Sequence, residues 1–242
     1  MTIIKPGRSL LKLLFKLCAS GTALVTILIL AFMALSSFPL IKNGGLLGTI
    51  TSPWLPQKNI YGIFPMIRAS MALSVLAVLM AFPLSFSTSA LSIMIPEKAY
   101  GKIIKRWVTA MTGIPTVIYG FVGVIMVIPF FRNAGIGSSG YSILAASSVL
   151  AVMISPTMIL IMTENFQNKS DQYRKTSLAL GADDFQIFMK VIAPASAGSM
   201  VTALVLGTGR AAGDALIALM MAGNSAAADF SFTAPARTLT SH

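Results

Sequence analysis

The sequence predicts an all-α polytopic membrane protein, on three observations. Hydrophobic residues make up 55% of the 242 positions and charged residues only 10%, against about 25% charged in a soluble domain. Uncharged apolar runs recur at or above the roughly 18 residues that mark a membrane span. The basic residues, which set a formal net charge of +11, sit in short stretches between those runs, the distribution of a membrane protein.

Five spans are expected. The first covers Leu17 to Ile41, with its helix ending near Ser36 ahead of Pro39. The second runs from Ala69 to Ile95 through Pro83, and the third from Trp107 to Phe131, carrying Pro115 and Pro129. The fourth covers Asn133 to Thr163, its apolar stretch lying between Ile143 and Met162. The fifth, Gly198 to Met221, is interrupted by Arg210 and Asp214. Internal Pro and Gly do not exclude spans, because neighbouring helices re-satisfy the freed backbone groups. The expected organisation is a cytoplasmic segment 1–16, a first span with an external loop over 17–68, and a core transmembrane domain over 69–221. That domain contains a cytoplasmic loop at 164–197, and a tail at 222–242 is too polar to cross again.

Orientation follows from the bases. Lys5, Arg8, Lys12 and Lys16 precede the first span; Lys98, Lys102, Lys105 and Arg106 lie between the second and third; Lys169, Arg174, Lys175 and Lys190 lie between the fourth and fifth. The positive-inside rule then places the amino terminus in the cytoplasm and, with five spans, the carboxyl terminus outside. The first run has the basic start of a secretory signal, but its apolar core exceeds the 7–15 residues of a signal h-region, so it is expected to be an uncleaved anchor. Arg68, at the external mouth of the second span, is expected to snorkel to the interface.

Several classes of chemistry are excluded. Nucleic-acid binders cluster their bases on a polar face with aromatic residues nearby, which these loops do not. The single Cys18 forms no intramolecular disulfide and no multi-cysteine metal site, and the single histidine, His242, closes the chain. No cofactor or metal is expected. No G-x-x-x-x-G-K-[ST] is present, so any nucleotide hydrolysis belongs to a partner. The chain is not expected to be an enzyme.

Two features stand above that background. Gly207-Thr208-Gly209-Arg210-Ala211-Ala212-Gly213-Asp214 places an acid and a base at i and i+4 in the fifth span, a spacing that puts both on one helix face. Ionisable residues in a span mark a pathway or a partner; the alternative is a self-neutralising pair that locks the helix to its neighbours. The three glycines would let helices approach closely under either reading. In the polar stretch from Glu164 to Ala197, Phe185, Phe188, Met189 and Ile192 recur at helical spacing behind Asp183 and Asp184, acids suited to a helix amino terminus. Such an amphipathic helix docks in a partner's groove or lies on the bilayer surface.

That stretch also carries a resemblance. Gly181, nine residues, then Val191-x-Ala193-Pro194 resembles the E-A-A-x3-G-x9-I-x-L-P loop of bacterial ABC importer permeases, with Lys175-Thr176-Ser177 in place of Glu-Ala-Ala and Ala193 in place of Leu. Gly113-Ile114-Pro115-Thr116-Val117-Ile118-Tyr119-Gly120-Phe121 is similar to the G-I-P-S-x-x-Y-G stretch of phosphate permeases. Trp54-Leu55-Pro56 through Tyr61-Gly62-Ile63-Phe64-Pro65 resembles the first external loop of their PstC-type subunit. Arg210-Ala211-Ala212-Gly213-Asp214-Ala215 resembles R-A-x-G-E-T, and Arg237-Thr238-Leu239-Thr240 the stretch before the last helix.

The resemblance implies a MetI-like helical bundle and a permease subunit of an ATP-driven phosphate importer in the bacterial inner membrane. Its partners would be a second, PstA-like permease, PstB-like ATPase subunits and an external PstS-like phosphate-binding protein. Arg210 and Asp214 would form the charged pair of the translocation path, and Gly181, Ala182, Asp183, Phe185 and Pro194 the loop that couples to the ATPase. It also implies a sixth helix after His242, so five of six spans are expected here. The alternatives are a permease for sulfate, molybdate or another oxyanion, and a truncated product that does not transport.

Overall fold

A computed structural model describes residues 6–42, 45–94, 98–137, 139–225 and 230–242. Lys5 and the expected end of the second span at Ile95 lie outside them. The chain divides into two compact units, Met1–Ser52 and Pro53–His242.

The first unit holds helix α1 (Pro6–Lys42) and the short α2 (Leu46–Thr51). From Leu11 to Lys42 every side chain of α1 is exposed, and a helix apolar on all sides is suited to lipid. The helix does not end near Ser36 as expected but continues through Pro39 to Lys42. Proline in the last turn removes one amide bond, so it ends the helix within a few residues rather than at once.

The second unit opens with a two-stranded antiparallel hairpin, β1 (Trp54–Leu55) and β2 (Ile60–Tyr61), which the all-α expectation did not include. Asn59 supplies its left-handed turn residue at φ 55°. Then come α3 (Phe64–Met94), α4 (Lys98–Thr112), α5 (Thr116–Asn133, with a π turn at Gly123–Val127) and α6 (Ile143–Ala179). Helices α7 (Asp184–Ala195) and α8 (Ala197–Gly213) meet at a 66° bend, and α9 (Leu216–Met221) follows. Four described helices are long and apolar enough to cross a membrane, and a fifth span results if the bent α7–α8 pair counts as one.

The core is built on α6, whose every fourth residue is buried from Ser142 to Ser170. Against it lies a matching i+4 row on α3: Ala69, Leu73, Ala77, Ala81, Ser85 and Ser89. Small side chains let the two backbones approach, which is how helices associate where lipid removes the hydrophobic drive. Hydroxyls then bond across the seam: Ser85 Oγ donates to the Ser155 carbonyl at 3.3 Å, Ser89 Oγ to Ile159 at 3.2 Å, and Ser147 Oγ to Leu73 at 3.3 Å. At one end of the seam Phe86, Phe166 and Phe188 form a triangle with centroids 5.3–6.0 Å apart, fastening α7 to α3 and α6.

Three further spans depart from their expected boundaries. The third span begins at Thr116, not Trp107, because Gly113-Ile114-Pro115 breaks the helix and leaves Trp107 on the separate α4. The Tyr119 hydroxyl bridges the break, donating to the Met111 carbonyl at 3.0 Å. The fourth helix starts at Ile143 and continues to Ala179, well beyond Thr163, so much of the expected loop is an extension of α6. The fifth span stops at Gly213, where Asp214 turns extended at ψ 123°. Arg68 falls inside α3 and stacks its guanidinium over Phe230 at 4.6 Å and Phe64 at 5.8 Å.

Gly140, at φ +80°, sets the turn into α6; a Cβ there would come within 2.5 Å of the Ile128 carbonyl oxygen and 3.2 Å of the Arg132 nitrogen. Both obstacles are backbone, so Gly140→Ala combines left-handed strain of about 1–2 kcal/mol with overpacking of similar size. The expected result is a destabilisation of roughly 2–4 kcal/mol, read as a lower melting temperature in detergent. An unchanged melting temperature would contradict it.

Candidate functional site

Two regions gather the residues that the sequence singled out. The first is the junction of α8, α9 and α6. Arg210 occupies the last turn of α8. Its Nη1 donates to Thr157 Oγ1 at 2.7 Å and its Nε to Met153 Sδ at 3.2 Å, both on α6. Thr157 lies fourteen residues past Ile143, about 21 Å along the helix at 1.5 Å per residue, within a hydrocarbon layer of about 30 Å. The guanidinium is therefore fastened to the apolar stretch of α6, yet Arg210 is exposed on this chain. A charge within a span faces a bundle interior or a water-filled cavity, not lipid.

Asp214 does not share a helix face with Arg210, contrary to expectation, because α8 ends one residue before it. No Arg210–Asp214 ion pair forms; among the described residues the ion pair within reach is Arg174–Asp184. The Asp214 carboxylate instead caps α9, accepting from the Ile217 amide at 2.8 Å. Its carbonyl accepts from Thr240 Oγ1 at 3.0 Å, and the next tail residue back, Leu239, donates its amide to Ser70 Oγ on α3 at 2.8 Å. The tail thus holds the helix break in place. Replacing Asp214 with Ala is expected to cost about 1 kcal/mol of stability through the lost cap, and Asn, itself a good cap, much less; equal melting temperatures for the two variants would contradict this.

The glycines divide likewise. A Cβ on Gly207 would meet Met158 Sδ at 2.9 Å, so this residue sets the approach of α8 to α6; Gly209 and Gly213 face open space. On α5, a Cβ on Gly120 would meet Met220 Sδ at 2.8 Å, and Gly123 contacts Met221, so the G-I-P-T-V-I-Y-G stretch seats α9.

The second region is the corner between α6 and α7. Gly181 closes α6 at φ +82°, with its amide donating to Leu178 at 2.9 Å and that of Ala182 to Ser177 at 3.1 Å, the paired bonds of a Schellman motif, where glycine suits the left-handed residue. Asp183 caps α7, accepting from the Gln186 amide at 2.7 Å, and Asp184 bonds Arg174 at 2.8 Å across the corner. Ile187, Phe188 and Ile192 are buried, while Phe185 and Met189 are exposed. Pro194 lies in the last turn of α7, beyond a π turn at Phe188–Ile192.

Residues 81–239, about two thirds of the chain, match the family described as "Binding-protein-dependent transport system inner membrane component". The chain belongs to this family. The chain is 36% identical over 165 residues to "Probable ABC transporter permease protein YqgH" of Bacillus subtilis (strain 168), covering 68% of the chain and 53% of that protein. It is 26% identical over 208 residues to "Phosphate transport system permease protein PstC" of Xylella fastidiosa (strain 9a5c), covering 78% and 64%. To "Probable phosphate transport system permease protein PstC" of Methanocaldococcus jannaschii it is 28% identical over 241 residues, covering 89% and 74%. The chain thus spans from about half to three quarters of the length of these relatives. The family match takes in both regions, from the middle of α3 to Leu239.

Sequence reasoning missed Thr157 and Met153, the residues that hold Arg210, and Thr240, which holds Asp214. A threonine inside an apolar run, directly after Pro156, was the available signal for the first.

Proposed function

We propose that this chain is a permease subunit of an ATP-driven phosphate importer in the bacterial inner membrane, with its amino terminus in the cytoplasm. The observation that carries the reading is Arg210, held by Thr157 and Met153 on the apolar stretch of α6 and still exposed on the isolated chain. A second permease subunit would cover that face and complete a water-filled path. A guanidinium there binds an oxyanion through paired, charge-assisted hydrogen bonds, and phosphate is the substrate in the printed names of several relatives. Asp214 contributes by fixing the break at which α8 gives way to α9. Gly181, Ala182, Asp183, Phe185 and Pro194 form the corner that would dock the ATPase subunit, Phe185 by direct contact and the others by shaping the turn. The external binding protein would deliver phosphate to the opposite face. Segment 1–16 would be cytoplasmic, 17–68 a first span and external loop, 69–221 the transport core with its coupling loop at 164–197, and 222–242 external.

The test is reconstitution of the chain with the second permease and ATPase subunits in proteoliposomes, with the binding protein and radiolabelled phosphate. ATP-dependent uptake that requires all components supports the reading. Absence of uptake with every subunit assembled overturns it, and calorimetry of the binding protein against phosphate, sulfate and molybdate separates the oxyanions.

A further inference from the structure

The helix between α3 and α5 is a part of the molecule that neither the path nor the coupling corner uses. Helix α4 divides lengthwise into three faces. Ile104, Val108 and Met111 are buried or half-buried and pack it onto the bundle. Ile103, Trp107 and Ala110 form an exposed apolar stripe at i, i+4 and i+7, with Trp107 at 70% exposure. Lys105, Arg106 and Thr109 form an exposed polar face that carries positive charge. No acidic residue occurs between Lys98 and Thr112, and Lys98 and Lys102 add to the charge of the segment. Three residues separate α4 from the span that begins at Thr116 and three from the span that ends at Met94, so the helix is confined to the membrane face.

We propose that α4 is a docking surface for anionic lipid headgroups. It lies in the interface with Trp107 and Ile103 at the acyl boundary, while Lys105 and Arg106 bind the headgroups. A neighbouring apolar stripe and basic face on one helix, with tryptophan on the apolar side, fit a helix lying flat in that layer. The charge complementarity selects anionic over zwitterionic lipid, because each base near a charged surface contributes about 1 kcal/mol. That this interface belongs to the cytoplasmic leaflet rests on the orientation proposed above; the lipid contact does not.

The chain has two tryptophans, which makes Trp107 a usable reporter. The full chain, with Trp54→Phe, is reconstituted in vesicles of phosphatidylcholine and phosphatidylglycerol with bromines on the acyl chains of one lipid or the other. The expected result is stronger quenching of Trp107 by brominated phosphatidylglycerol than by brominated phosphatidylcholine at equal mole fraction. Lys105→Gln and Arg106→Gln should each reduce that preference roughly fivefold, and added salt should weaken it. Equal quenching by the two lipids overturns the proposal. So does quenching by neither, or shielding of Trp107 from water only when an ATPase subunit is added. If Trp54→Phe impairs folding, the difference between the unaltered chain and Trp107→Phe gives the same signal.

Discussion

Replacing Arg210 with Ala is expected to abolish phosphate uptake while leaving the chain folded and assembled. A hydrogen bond to a charged group contributes about 1.5–3 kcal/mol, and a guanidinium makes two of them to an oxyanion, so uptake should fall roughly 100-fold or more. Lys should recover only part of this, since an ammonium supplies a point charge without the planar fork. Stability should change little, because Arg210 is exposed and its two bonds go to side chains, Thr157 and Met153. Those partners supply a second discrimination. Thr157→Val removes the acceptor that orients the guanidinium and should raise the KM for phosphate, whereas Thr157→Ser retains it. If uptake by Arg210→Ala equals that of the unaltered complex, Arg210 has no part in the path.

Hydropathy made the membrane class and four of the spans legible, because it reports the solvent a segment needs. It does not report where a helix stops. Helix α6 continues past Thr163 through Glu164, Asn165, Gln167 and Lys169, residues that leave lipid without leaving the helix. Trp107 was joined to the third span by its apolar neighbours, although Gly113 and Pro115 stand between them as a break. The pair Gly213-Asp214 reads, in retrospect, as a helix end followed by the cap of the next helix. The i, i+4 spacing of Arg210 and Asp214 concealed that reading, since it assumed one continuous helix. Arg210 itself was legible because a charge inside a span is costly. Its partners were not, since Thr157 and Met153 lie more than fifty residues away in the chain and meet it only through packing of α8 on α6. In the corner after α6 the capping role of Asp183 and the turn at Gly181 were local and readable. Which of the four apolar residues face outward was not: Phe188 and Ile192 turn inward, and Phe185 and Met189 remain outside.

That division of faces makes Phe185 the sharper test of coupling. Helix α7 is held to the bundle by Phe188, whose ring lies 5.3 Å from Phe166 and 5.9 Å from Phe86, so a push on its outer face is transmitted to α3 and α6 as a packed body. Phe185, 60% exposed, presents an aromatic side chain on that outer face, with Met189 one turn on and Leu180 at the preceding corner. A buried aromatic anchor in an interface contributes about 2 kcal/mol or more, so Phe185→Asp, which adds a charge to be desolvated, should weaken ATPase docking by roughly 30-fold or more. The melting temperature of the isolated chain should not move. Phe188→Ala should do the opposite, lowering stability by about 3–5 kcal/mol through the cavity it leaves. Co-purification of the ATPase subunit, set beside thermal melts of the two variants, separates the effects. Normal docking by Phe185→Asp would remove this face of α7 from the interface and leave the end of α6, at Leu178 and Leu180, to carry it.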